Sequence, residues 1–84
     1  MKELVPLSEL KAGTISTIDS LNSPDHMRRR LMDLGFSSGT TIKCVQSSPA
    51  GDPVAYMLRG TIIALRNEDA CHILVRNGGD ETWD

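Results

Sequence analysis

Between Thr41 and Arg76 the chain offers only short runs, each closed by a turn signal. Ser48-Pro49-Ala50-Gly51-Asp52-Pro53, Arg59-Gly60 and Asn67-Glu68-Asp69-Ala70 separate Thr41–Ser47, Val54–Leu58, Thr61–Arg66 and Cys71–Arg76. Val54, Tyr56 and Leu58 alternate, as do Ile63 with Leu65 and Ile73 with Val75. Period-two alternation of this kind predicts strands with those residues facing a core. Upstream, Thr14-Ile15-Ser16-Thr17-Ile18-Asp19 is dominated by β-branched residues and reads as a further strand. Five short strands in so short a chain expose costly edges unless the sheet curls on itself. The expected architecture is therefore mainly β: a closed or nearly closed small barrel.

One segment has a different period. Ser23-Pro24-Asp25 carries a capping residue, a proline suited to the first helical position and an acid suited to the positive helix end. Met27, Leu31 and Leu34 follow at i, i+4 and i+7, and Gly35 offers the left-handed residue that ends helices. This predicts a helix over about residues 24–34, inserted between the first and second strands, with Phe36 folding back onto Leu31. Leu7 to Gly13 is compatible with one helical turn, Leu7 and Leu10 being three apart.

A chain of 84 residues supports one domain, expected over residues 1–76, followed by a polar tail over 77–84 expected to be mobile. Nine Lys and Arg against eleven Asp and Glu give a net charge of −2, the wrong overall sign for a nucleic-acid binder. Apolar runs are too short to span a membrane, and Met1-Lys2-Glu3-Leu4-Val5-Pro6 lacks the apolar region of an export signal. Two cysteines without such a signal suit a reducing cytoplasm. The sequence has no Gly-x-x-x-x-Gly-Lys phosphate loop and no Gly-x-Ser-x-Gly nucleophile elbow. No enzymatic activity is expected.

The candidate functional residues are accordingly those of a surface. Arg28, Arg29 and Arg30 form the densest charge feature. On a helix, Arg28 and Arg30 flank the apolar stripe while Arg29 points away, within reach of Asp25 at i+4. The bland reading is a solvated, salt-bridged face; the functional one is an arginine patch for an acidic or phosphate-bearing partner. Strand alternation leaves Met57, Ile62 and Leu74 outward, and such residues mark an interface where they cluster. His26, Cys44, Cys71 and His72 are the metal-ligand types present, but their spacing matches no common ligand pattern. Cys44 alternates with Ile42 and Cys71 with Ile73, which makes two core-filling thiols the expected reading. His26 and His72 are expected at the surface.

Several words in order resemble the FeoA family. They are Arg29-Arg30-Leu31-Met32-Asp33-Leu34-Gly35-Phe36, Gly39-Thr40, Pro49-Ala50-Gly51-Asp52-Pro53, Arg59-Gly60, Ala64-Leu65-Arg66 and Ala70, with Leu7, Leu10 and Gly13 upstream. The family often has proline where this chain has Ser38. The resemblance implies an SH3-like β-barrel with a helical insertion. It implies a cytoplasmic accessory or regulatory role in bacterial ferrous iron uptake, through the cytosolic G-protein domain of the FeoB membrane transporter, which would recruit the protein to the inner membrane face. It requires no cofactor. The alternative is a metal-responsive binding or oligomerising sensor module that takes Fe2+, zinc, manganese or another divalent transition metal weakly. The oligomeric expectation is a monomer or weak homodimer.

Overall fold

In the computed structural model, residues 3–47 and 51–77 are described. In chain order the elements are β1 (Glu3–Pro6), a 3-10 turn (Leu7–Glu9), β2 (Ile15–Leu21), α1 (Asp25–Leu34), β3 (Thr41–Ser47), β4 (Val54–Leu58), β5 (Thr61–Leu65), α2 (Asn67–Ala70) and β6 (Ile73–Asn77). The strands form one sheet in the order β1-β6-β2-β3-β4-β5. Every neighbouring pair is antiparallel. The sheet is thus a meander from β2 to β5 into which the final strand returns, between β1 and β2.

Two register shifts curl the sheet. One lies between Ile18 and Ser20 where β2 meets β6, the other between Cys44 and Gln46 where β3 meets β4. Such bulges bend a strand and increase its twist. The concave side encloses Leu7, Ile18, Phe36, Ile42, Cys44, Tyr56, Leu58, Ile73 and Val75, all fully buried. Tyr56 is the largest of them with a polar atom, and its hydroxyl donates to the Leu7 carbonyl at 3.4 Å.

The structure departs from expectation at several points. β1 is a sixth strand. Its sequence carries little alternation; it pairs with β6 in the register Leu4↔Arg76 and Val5↔Val75, and Val5 packs against the core. The last strand begins at Ile73 instead of Cys71, because α2 continues as a turn through Cys71, whose N–H bonds the Asn67 carbonyl at 2.9 Å. It also runs through Asn77, one residue past the expected domain boundary. Residues 48–50 of the expected turn and the tail from Gly78 onward lie outside the described residues. Ser23 does not cap α1. Pro24 occupies the cap position in extended conformation (φ −57°, ψ 155°), and the Ser23 side chain turns inward, where its Oγ meets no hydrogen-bond partner among the described residues. Leu34, expected on the core stripe, is 45% exposed, while Leu31 is buried and Met27 half-buried.

The Tyr56 hydroxyl is pushed up to about 12, first by burial and then by the negative charge of Cys44 and Asp52 in their ionised forms. The unfolded-state value is near 10. The neutral phenol is therefore favoured in the fold, and the associated stability is complete below pH 10 and lost as pH rises through about 12. We expect the urea midpoint to fall across that alkaline window, and Tyr56→Phe to reduce the fall. Because Tyr56 is the chain's one tyrosine, tyrosinate absorbance monitors the ionisation directly. At neutral pH the same substitution is expected to cost no more than about 1 kcal/mol, the worth of one long hydrogen bond.

Candidate interaction surface

The chain leaves α1 through a Schellman turn. Gly35 adopts φ 111° and ψ −4°, its N–H bonds the Met32 carbonyl at 3.0 Å, and the Phe36 N–H bonds the Leu31 carbonyl at 2.9 Å. These two bonds are the ones that define the motif, with buried Phe36 and Leu31 as its apolar pair. Gly35 is buried, and a Cβ placed on it would lie 3.4 Å from both Arg59 Cδ and Leu58 Cδ1. The end of α1 is thereby seated on the β4–β5 hairpin.

That hairpin has a two-residue loop. Leu58 pairs with Thr61, and the intervening Arg59 and Gly60 have φ 53° and 77°. Two consecutive positive φ values make this a type I′ turn, which normally favours Asn-Gly. Arg59 is the only described non-glycine residue with positive φ. Left-handed backbone costs a residue with a Cβ roughly 1–2 kcal/mol. Its exposed guanidinium stands at the junction of hairpin and helix. Arg59 belongs to one of the family words but is not among the expected site residues. The signal available was arginine in a turn position that asparagine or glycine fills more cheaply.

The outer face of the hairpin is apolar. Met57 lies directly opposite Ile62, and Ala55 opposite Ala64. Met57 is 38% and Ile62 60% exposed. Leu74 does not join them: it sits on β6, opposite Pro6 and Ser20, and is half-buried. The alternation that predicted it outward is correct for direction, since Ile73 and Val75 on either side are buried.

The three arginines divide. Arg30 lines a groove of about 440 Å³ between α1 and β5, together with His26, Leu34, Ala64, Arg66 and Glu68. Arg28 and Arg29 line a second depression, with Asp25, Met32 and Asp33. The expected Asp25–Arg29 pair is replaced by Asp25–Arg28 at 2.7 Å, a spacing of three. Both partners are largely solvated, so the pair contributes little stability. Arg29 and Arg30 are exposed.

The candidate metal ligands lie apart. Cys44 is in the core, where burial pushes its thiol up. Cys71 is exposed, against expectation, since the turn that extends α2 breaks the alternation with Ile73. Its Sγ donates to the Glu68 carbonyl at 3.2 Å. His26 and His72 are exposed as expected. No group of three or more His, Cys, Asp or Glu is arranged to hold a metal ion among the described residues. No helix among them is long and apolar enough to cross a membrane.

A curled antiparallel sheet with a helix inserted between β2 and β3 defines a small SH3-like domain. Residues 5–77 match the family described as FeoA domain, and the chain belongs to it. The chain is 39% identical over 69 residues to an Fe(2+) transport protein A/Fe(2+) transporter FeoB fusion protein of Porphyromonas gingivalis. That match covers 82% of this chain but only 8% of the relative, so the chain spans a small part of its length. Among solved structures, the FeoA protein of Chlorobium tepidum superposes with a TM-score of 0.82 at 34% identity, covering 95% of this chain and 81% of that one. Stenotrophomonas maltophilia FeoA, solved with zinc and described as a prokaryotic SH3 domain protein, has a TM-score of 0.79 at 30% identity and coverages of 89% and 93%. The expected SH3-like fold and family hold, and it is these relatives whose names refer to ferrous iron transport.

Gly35→Ala is expected to lower stability by roughly 1–2 kcal/mol, from left-handed backbone alone. Equilibrium urea unfolding, with the slope unchanged, measures it.

Proposed function

We propose that this chain is a non-catalytic accessory protein of bacterial ferrous iron uptake that acts in the cytoplasm by docking on the cytosolic part of a FeoB transporter. The observation that carries this reading is the Porphyromonas gingivalis relative, in which an FeoA segment is covalently joined to a FeoB transporter. Gene fusion keeps two domains at high effective concentration, which is of use where they act together. The exposed guanidinium groups of Arg29, Arg30 and Arg59 are the natural contacts for carboxylates or phosphates on such a partner. Arg28 contributes less, being held by Asp25.

The acceleration of nucleotide hydrolysis by an arginine reaching into the transporter's G-protein domain is one physical route to regulation. Preferential binding of one transporter state is the other. Both require association first.

The test is binding of this chain to the FeoB cytosolic domain in its GTP-like and GDP states, by calorimetry at two ionic strengths. We expect association that weakens with salt, because solvated charge pairs are screened. Arg29→Ala or Arg30→Ala is expected to weaken it roughly tenfold, the loss of one charge-assisted hydrogen bond, with the thermal midpoint unchanged. Arg59→Asn is expected to weaken binding while leaving stability equal or higher, since asparagine suits the turn better. Absence of association at tens of micromolar overturns the reading. Unchanged affinity in all three variants removes the arginine surface from it.

A further inference from the structure

We propose that two copies of this chain associate through the free edge of β5, forming a two-fold antiparallel pair that joins their sheets. The inference is independent of the transporter reading. β5 ends the sheet order: β4 pairs with one side of it, and no described strand covers the other. Thr61 pairs with Leu58 next to a two-residue loop, so Thr61, Ile63 and Leu65 direct their backbone groups to β4. The N–H and C=O of Ile62 and Ala64 then point away from the sheet.

Natural edge strands are blunted by lysine, proline, inward charges or bulges. Thr61-Ile62-Ile63-Ala64-Leu65 has none of these, and its register with β4 is unbroken. Ile62 is 60% exposed and Ala64 is exposed, and α1 faces the strand across the groove of about 440 Å³ that separates them.

Charge selects the occupant. The groove beside β5 carries Arg30 and Arg66 together with Glu68 and Asp69. A uniformly acidic or basic strand meets like charge there, whereas a second copy meets its own complement. Pairing Ile62 of each copy with Ala64 of the other overlaps all five strand residues and sets a large side chain beside a small one twice. It also brings Arg59 of each copy to the start of the other copy's α2, where Glu68 and Asp69 lie in the first turn. A five-residue strand pair buries less than the roughly 1,200 Å² of a stable interface, so the dimer is weak and concentration-dependent.

Sedimentation equilibrium and amide spectra of the full chain, from about 10 µM to about 1 mM, test this over the range of weak affinities. We expect the mass to rise toward that of a dimer. The Ile62 and Ala64 amides are expected to shift and gain exchange protection with concentration, while those of Thr61, Ile63 and Leu65 do not. Ile62→Lys, at an exposed site, should keep the thermal midpoint and weaken association at least tenfold. Arg59→Glu and Glu68→Arg should each dimerise poorly alone and pair with one another when mixed, because the mixture restores both opposite-charge contacts. A monomer at the highest concentration overturns the proposal. So does association insensitive to Ile62→Lys, or protection of the Ile62 and Ala64 amides only when a strand of another protein is added.

Discussion

The reversal at Gly35 is the constraint on which the rest of the exterior depends. α1 must stop at Leu34, turn through a left-handed residue, and deliver Phe36 into the core. A Cβ at position 35 would stand in ordinary van der Waals contact with Leu58 and Arg59, 3.4 Å from an atom of each. Glycine is required there by the backbone, since φ 111° is a conformation that residues with a Cβ rarely adopt. Beyond Phe36 the chain is tied straight back to β2. The Gly39 N–H bonds the Ile18 carbonyl at 2.8 Å, and the Ser38 hydroxyl bonds the Asp19 carbonyl at 2.9 Å. Asp19 is the extra residue of the β2 bulge and also takes Arg76 at 3.3 Å. The serine that stands where the family often has proline thus replaces a stiff ring with a hydrogen bond to the bulge.

What was legible in the sequence followed from periodicity and turn chemistry. Val54, Tyr56 and Leu58 alternate over a strand bounded by turns, and all three are buried. Gly35 and Phe36 announced the helix end, and the two Schellman bonds are there. β1 was not legible, because an outer strand with a proline and little alternation owes its conformation to β6. Cys71 was misplaced for a related reason: alternation was extended backwards across a turn that the four residues of α2 continue. Ser23 was a sound local cap, overridden by burial. Of the surface, Met57 and Ile62 could be read as outward, but their direct opposition needed the strand register. That Leu74 lies apart from them needed the strand order, which puts β6 between β1 and β2.

Arg59 is where local preference and the observed residue disagree most clearly. A type I′ turn needs two left-handed residues, and Gly60 meets that need without strain while Arg59 does not. Residues that break a local rule without a gain in packing concentrate where recognition or chemistry is carried out. Arg59 is exposed at the hairpin tip, with its Cδ 3.4 Å from where a Cβ on Gly35 would stand. Its backbone strain is offset by the rest of the hairpin, where all five strand residues keep register.

The distribution of reactive groups supports the same division between interior and exterior. The thiol of Cys44 and the phenol of Tyr56 are both raised, and burial is the leading cause in each. A raised thiol holds less thiolate, which is the nucleophilic and metal-binding form, so burial makes Cys44 less reactive. A site built for chemistry displaces acidity toward its operating range, in a cleft, beside a specific charge. Here the two displaced groups instead fill a core whose largest members are Tyr56 and Phe36. Among the described residues, the groups free to meet another molecule are outside it: the guanidinium groups of Arg29, Arg30 and Arg59, the apolar pair Met57 and Ile62, and the outer backbone edge of β5. Guanidinium groups and apolar side chains favour particular neighbours, while a bare strand edge accepts any extended chain, so selectivity at that edge has to come from the charges at its two ends.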